Sequence, residues 1–170
     1  GGGTPHFLDP DELSRLVRSL GAGFRLEKDD DERDFSIEID PRCQDPRSIA
    51  HLAEIGFNRV SFGVQDFDPV VQRAINRIQP VAQTRACVEA SREAGIRSVN
   101  LDLIYGLPKQ RASTFARTLE TVVSLRPERI ALYAYAHLPQ RFKAQRQIES
   151  GDLPRPAVKL ALLGMAIEAF

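Results

Sequence analysis

Tryptophan is absent from the sequence, methionine occurs once, and the two cysteines, Cys43 and Cys87, stand far apart with no second Cys or His at ligand spacing. Neither can be half of a metal knuckle, because such sites need closely spaced soft donors. Both are expected to be plain reduced thiols, and no metal ligand is expected within the chain. Net charge is missing too, since Lys plus Arg and Asp plus Glu both total 23. With no overall field to steer it onto nucleic acid or an anionic membrane surface, the chain must rely on local charge for recognition. No apolar run approaches the roughly 20 residues of a membrane-spanning helix, and the opening GGGTP has neither the charged nor the apolar region of a signal peptide. The expectation is a cytoplasmic protein that engages neither nucleic acid nor membrane.

What is present is enough for one core: 170 residues with 42% hydrophobic content, no internal repeat and no dividing linker, read as a single domain over 1–170. Asp9-Pro10 opens a helix, with Leu13, Leu16, Val17 and Leu20 at helical spacing and Gly21 and Gly23 as its stop. After an acidic turn over 29–34, residues 35–39 (FSIEI) alternate with period two and read as a strand. A helix follows from Pro46 to its stop at Gly56. Further strands are expected over 59–64, 99–104 and 130–135, and further helices over 69–75, 81–94, 114–125 and 156–170. Each crossover between strands contains a helix, which hairpins would not need, so the class is α/β with a parallel sheet. A closed eight-stranded barrel takes about 250 residues. Four strands therefore make either part of a barrel or a small open domain.

In parallel α/β folds the functional groups collect at the carboxyl ends of the strands. Alternation sends Ile37, Ile39, Val60, Phe62, Val64, Leu101 and Leu103 toward the helices and leaves Glu38, Ser61, Gly63, Gln65, Asn100 and Asp102 facing the other way. In the last strand Tyr133, Tyr135 and His137 share that side. Glu38, Gln65 and Asp102 end three consecutive strands on one side, and carboxylates there need a partner. A polar ligand supplies one; solvent across an open sheet, or pairing with Arg59 or Arg97, is the alternative. The GGGTP run lets backbone amides approach an anion near a helix start, and Arg77 could clamp a carboxylate, although a free terminus and an exposed helix-end arginine explain these equally well. His6, His51 and His137 are dispersed and do not form a ligand set.

GGGTP at 1–5, SIEIDPR at 36–42, GFNRVSFGVQDF at 56–67, NLDLIYGLPKQ at 100–110 and YAHLP at 135–139 together resemble the oxygen-independent coproporphyrinogen III oxidase family, over nearly the whole chain. The resemblance implies a partial radical S-adenosylmethionine (SAM) barrel. In this family a 4Fe-4S cluster reduces SAM to a 5′-deoxyadenosyl radical, which attacks propionates of coproporphyrinogen III on the way to protoporphyrinogen IX. Carried over residue by residue, Gly2, Glu38 and the Ala136 backbone would hold the SAM on the cluster. Gly3, Thr4, Gln65, Arg77 and Asp102 would hold a second SAM. The family's CxxxCxxC motif lies upstream of GGGTP, so the resemblance implies a central fragment lacking both the cluster ligands and the C-terminal domain, inactive by itself. It also implies an electron donor such as flavodoxin or ferredoxin, and a monomer.

Two rivals remain open. A radical SAM haem chaperone would carry haem without decarboxylation, while QDF at 65–67 and YAHLPQRF at 135–142 look more like the oxidase. A phosphate-binding, aldolase-like barrel would use Glu38 and Asp102 as acid and base. No lysine at an inward strand position supports the latter's commonest chemistry. Arg141, Lys143 and Arg146 could meet substrate propionates or form a solvated face.

Overall fold

The computed structural model describes residues 8–27, 29, 32–42 and 45–170. Helix α1 (Pro10–Gly23) begins with a full capping box: the Asp9 carboxylate accepts from the Glu12 N–H at 2.8 Å, and Glu12 accepts from the Asp9 N–H at 3.1 Å. Gly21 lies inside this helix and does not stop it. The helix runs to Gly23, where the Phe24 N–H still bonds to the Leu20 carbonyl at 2.8 Å, because an exposed glycine costs helix only about 1 kcal/mol and does not force a turn.

Strand β1 (Ser36–Ile39) follows, then a 3-10 turn (Pro46–Ser48) and α2 (Ile49–Glu54). The helix expected from Pro46 thus becomes α-helical only at Ile49. Asp45 caps the 3-10 turn through the Arg47 N–H at 3.0 Å. Gly56, at φ +107°, closes the segment in a conformation that favours glycine. The remaining elements are β2 (Arg59–Gln65), α3 (Pro69–Ala74), α4 (Val81–Glu93), β3 (Ser98–Tyr105), α5 (Ala112–Leu125), β4 (Arg129–Ala134) and, after two 3-10 turns, α6 (Pro156–Ala169). The short α3 is started by Asp68, whose carboxylate accepts from the Val70 and Val71 N–H groups.

The four strands pair in the order β1-β2-β3-β4, and every pair is parallel. The expected α/β class therefore holds, and sequence neighbours are spatial neighbours. One face of the sheet is sealed by helices. Ile37, Ile39, Val60, Phe62, Val64, Val99, Leu101 and Leu103 are all at most 4% exposed and join Ile49, Leu52, Cys87, Phe115, Leu119 and Val122 in one core. Each such buried side chain stabilises the fold by about 1.5–3 kcal/mol relative to exposure. Cys87 belongs to this core as a free thiol, and burial raises its pKa to about 11, so it is inert at neutral pH. Cys43 and His6 lie outside the described residues. His51 ties α2 to α1, its Nε2 standing 2.9 Å from Ser14 Oγ.

Candidate cofactor site at the strand ends

The opposite face of the sheet is polar and concave. A depression of about 360 Å³ runs across it, lined among others by Ser36, Glu38, Ser61, Asn100, Asp102 and Tyr133. Register explains the grouping: Glu38 lies beside Ser61, and Ser61 beside Asn100, so strict alternation turns all of them to one side. Asp102 is held there rather than left loose. Its carboxylate accepts from Ser61 Oγ at 3.0 Å and from Asn100 Nδ2 at 2.7 Å, and Asn100 also donates to Ser61 at 2.8 Å. Glu38 is exposed and forms no side-chain hydrogen bond or ion pair among the described residues. The alternative pairing with Arg59 does not occur, because Arg59 bonds Asp34 at 2.9 Å.

Gln65 and Arg77 are brought together at the exit of β2. The pairing with β3 slips between Gly63 and Gln65, and Gln65 adopts φ +67°, so the alternation read from the sequence ends one residue before it. Arg77 Nη2 donates to the Gly63 carbonyl at 2.8 Å. A Cβ on Gly63 would lie 3.0 Å from both Arg77 Nη2 and Gln65 Nε2, so the glycine is what lets these two side chains close over the strand. Arg77 Nη1 meets the Asp40 carboxylate at 3.1 Å, and Asp40 also receives Arg42 through a forked contact at 2.6–3.1 Å. Burial pushes the Asp40 pKa up, but the bonds from Arg42 and the charge of Arg77 outweigh it and hold the carboxyl below its usual range.

Ala136 is exposed, and its carbonyl accepts from Gln145 Nε2 at 3.0 Å. The chain just before it is pinned twice: the Tyr135 N–H donates to the Tyr105 carbonyl at 2.9 Å, and Lys159 Nζ from α6 donates to the Tyr135 carbonyl at 2.7 Å. Lys159 passes over Gly106, at φ +83°, where any Cβ would come within 2.7 Å of its chain. His137 Nδ1 stands 3.4 Å from the Tyr135 hydroxyl. Gly2, Gly3 and Thr4 lie outside the described residues. Arg141, Lys143 and Arg146 are exposed beyond the strand ends, with Arg146 Nε on the Pro139 carbonyl at 3.2 Å.

Of the expected site residues the structure thus gathers Glu38 with Asp102, and Gln65 with Arg77. Sequence reasoning missed Asp40 as the partner of Arg77, because residues 37 apart in the chain give no local signal. It also missed that Ser61 and Asn100 orient Asp102, although alternation had placed them on the correct face. A larger depression of about 510 Å³ lies elsewhere, between Asp68, Lys109, Arg111, Thr114 and Asp152, where Lys109 and Asp152 pair with each other at 3.4 Å.

The donor set suits a zwitterionic sulfonium amino acid bearing a ribose: carboxylates for an ammonium and hydroxyls, a guanidinium for a carboxylate, an amide for a base edge. Among the described residues no group of three or more His, Cys, Asp or Glu is placed to hold a metal ion.

Comparison with known proteins completes this picture. The model of the Radical SAM superfamily matches residues 1–122. The oxygen-independent coproporphyrinogen III oxidase of Pseudomonas aeruginosa is 52% identical over 168 residues, which is 99% of this chain and 36% of that protein. The enzyme of the same name from Escherichia coli is 47% identical over 163 residues, covering 96% of this chain and 35% of its own. The solved structure of coproporphyrinogen III oxidase (HemN) from E. coli, described as a radical SAM enzyme, superposes with a TM-score of 0.92 at 46% identity, over 99% of this chain and 38% of that one. Methanocaldococcus infernus Elp3, at 16% identity and a TM-score of 0.74 over 98% of this chain and 43% of that one, shares the fold alone. The chain spans little more than a third of the length of the oxidases it matches.

Proposed function

This chain belongs to the radical SAM superfamily and folds as four consecutive strands of its parallel barrel, and on that premise we propose that it is the central part of an oxygen-independent coproporphyrinogen III oxidase. The observation that carries the reading is that Glu38 and Asp102 share the open face of the parallel sheet, Asp102 in the middle of β3 and not at its end as expected, with Gln65 at the exit of β2 and Arg77 reaching over Gly63 from the segment after α3, in a chain 52% identical to an oxidase of that name. The substrate is coproporphyrinogen III, two of whose propionates become vinyl groups to give protoporphyrinogen IX in haem biosynthesis. SAM bound at a reduced 4Fe-4S cluster supplies the hydrogen-abstracting radical. Each propionate gives up one hydrogen atom, carbon dioxide and a further electron, which passes to an acceptor.

The part played by this chain is to bind and orient. Glu38, exposed and uncommitted among the described residues, offers an acceptor to the amino or hydroxyl groups of the first SAM, and the same ligand is assigned to Gly2 and the Ala136 backbone. Asp102, oriented by Ser61 and Asn100, accepts from a second SAM. Gln65 supplies an amide to the same ligand, and Arg77, steadied by Asp40, supplies a donor for its carboxylate. Gly3 and Thr4 complete that site. The cluster is held by cysteines outside this stretch, and its electron comes from a flavodoxin- or ferredoxin-type donor to a monomeric, cytoplasmic enzyme. Within the described residues no helix is long and apolar enough to cross a membrane.

The test uses the full-length protein. Glu38→Ala is expected to weaken SAM binding and abolish SAM cleavage while leaving thermal stability within about 0.5 kcal/mol, since an exposed, unpartnered side chain holds nothing in place. Cleavage at the wild-type rate would remove Glu38 from the site. Turnover of coproporphyrinogen III with release of carbon dioxide separates the oxidase from a haem chaperone of the same superfamily, which would instead pass haem on unchanged. Superfamily membership sets the aldolase-like barrel aside.

A further inference from the structure

The residue after Gln65 has no part in the binding set above, yet it is among the most buried polar groups of the fold. Asp66 is 0% exposed and forms no ion pair among the described residues. Three donors face its carboxylate instead: Thr118 Oγ1 from α5 at 2.7 Å, the Asp68 N–H at 2.7 Å and Gln110 Nε2 at 2.6 Å. Thr118 Oγ1 itself accepts from the Phe67 N–H at 3.2 Å, so its own proton is left for Asp66. Every contact requires the carboxylate as pure acceptor. Burial nevertheless pushes its pKa up, against the opposing effect of these bonds. A buried anion without a cation is a costly way to fill space.

What the carboxylate touches shows its use. The Asp66 N–H bonds to the Val64 carbonyl at 2.9 Å, closing a three-residue turn with Gln65 at its centre in a left-handed conformation that a non-glycine residue adopts only under strain. Gln110 turns its other atom on the exit of β3: Oε1 accepts from the Gly106 N–H at 2.6 Å and the Leu107 N–H at 3.2 Å, while Nε2 also donates to the Ile104 carbonyl at 3.1 Å. The Asp66 carbonyl accepts from Gln72 Nε2 at 2.9 Å. Gln72 also grips the backbone of Gln79 on both sides, through the carbonyl at 2.8 Å and the N–H at 3.0 Å, two residues past Arg77.

We propose that Asp66 is a positioning residue: it anchors the strained turn that presents Gln65 and, through Gln110 and Gln72, fixes that turn against the exit of β3 and the segment bearing Arg77. The ligand groups of the second SAM thereby keep one arrangement before the ligand arrives. This rests on the reading of Gln65, Arg77 and Asp102 as that site.

The polarity of the network gives the test. In Asp66→Asn one carboxylate oxygen becomes an amide nitrogen facing the Gln110 donor. Gln110 must then flip and release Gly106 and Leu107, or lose Asp66. In the full-length protein, amide exchange over 104–110 and 65–68 should accelerate about tenfold or more, and SAM affinity at one of two sites should fall about tenfold, with the other site unchanged. Adding Gln110→Glu restores donor facing acceptor and should recover most of the affinity; the Ile104 carbonyl, now opposite an oxygen, keeps the rescue incomplete. A merely structural role would not lower affinity at one SAM site while leaving the other unchanged. If Asp66→Asn does not fold, Thr118→Val removes one donor to Asp66 together with the acceptor of the Phe67 N–H, and it should show the same acceleration at 65, 66 and 68 on a smaller scale, position 67 being set aside because its own partner is lost. Wild-type exchange and two-site binding in Asp66→Asn, or in Thr118→Val in its place, would overturn the proposal. Gln65→Ala and Arg77→Ala separate the two ideas: unchanged two-site binding in both defeats the assignment of the second SAM site, while the exchange measurements still judge whether Asp66 anchors the turn.

Discussion

The two faces of this sheet are made by the same strands and obey opposite rules. On the helix-covered face, Val60, Phe62, Leu101 and Leu103 are at most 1% exposed, and nothing distinguishes them except volume and the absence of polar atoms. On the open face, Ser61, Asn100 and Asp102 alternate with them and form a closed hydrogen-bond set, with Glu38 beside it uncommitted among the described residues. Substitution on the first face is judged by the cavity it leaves, and on the second by the chemistry it removes. One-residue alternation is all that separates a fold-determining position from a ligand-facing one.

The largest effect that would sharpen this contrast is on the sealed face. Leu101→Ala should cost about 2–5 kcal/mol of unfolding free energy, read from urea midpoints of the full-length protein, because Leu101 is fully buried at the centre of β3 between β2 and β4. Its neighbour Asp102, mutated to Asn, keeps its shape and should change that midpoint far less while weakening SAM binding. Equal losses of stability from the two would mean that Asp102 is part of the scaffold.

Of intermediate size is the strand exit where the faces meet. Gly106→Ala places a Cβ at φ +83° and within 2.7 Å of the Lys159 chain, so it should cost about 1–2 kcal/mol for the backbone alone. Lys159 must also swing away, releasing the Tyr135 carbonyl that fixes the approach to Ala136. Faster amide exchange over 135–137 in this variant would show the strap opening; unchanged exchange would show that Lys159 finds another path.

The sheet and both of its faces were legible in the sequence because period-two alternation is a local signal, and helix-filled crossovers imply parallel strands. Glu38 and Asp102 could therefore be placed on one side before any coordinates. The alternation failed at Gln65, since the strained turn there is held by Asp66, Gln110 and Thr118, contacts 44 and 52 residues away from Asp66 in the chain. Gly21 misled for the converse reason: a glycine tolerated inside an exposed helix looks like one that ends it. Gly56, Gly95 and Gly106, which do end or redirect segments, all have positive φ, a distinction of backbone angle that composition does not carry.

The smallest expected effect concerns Asp40, which belongs to neither face but sets where Arg77 points. In Asp40→Asn the guanidinium keeps the Gly63 carbonyl but loses an ionic partner, and because the pair is part exposed the change should stay below about 1 kcal/mol. Its sign with pH is fixed by direction. The folded carboxyl titrates below the usual 3.8, so its contribution is present at all pH values above that and fades as pH falls through the lower folded value. Urea midpoints of the wild type and Asp40→Asn should therefore differ at neutral pH and converge in strong acid. A difference that persists unchanged into acid would mean that the asparagine acts by shape, and that Arg77 is held by Gly63 rather than by charge.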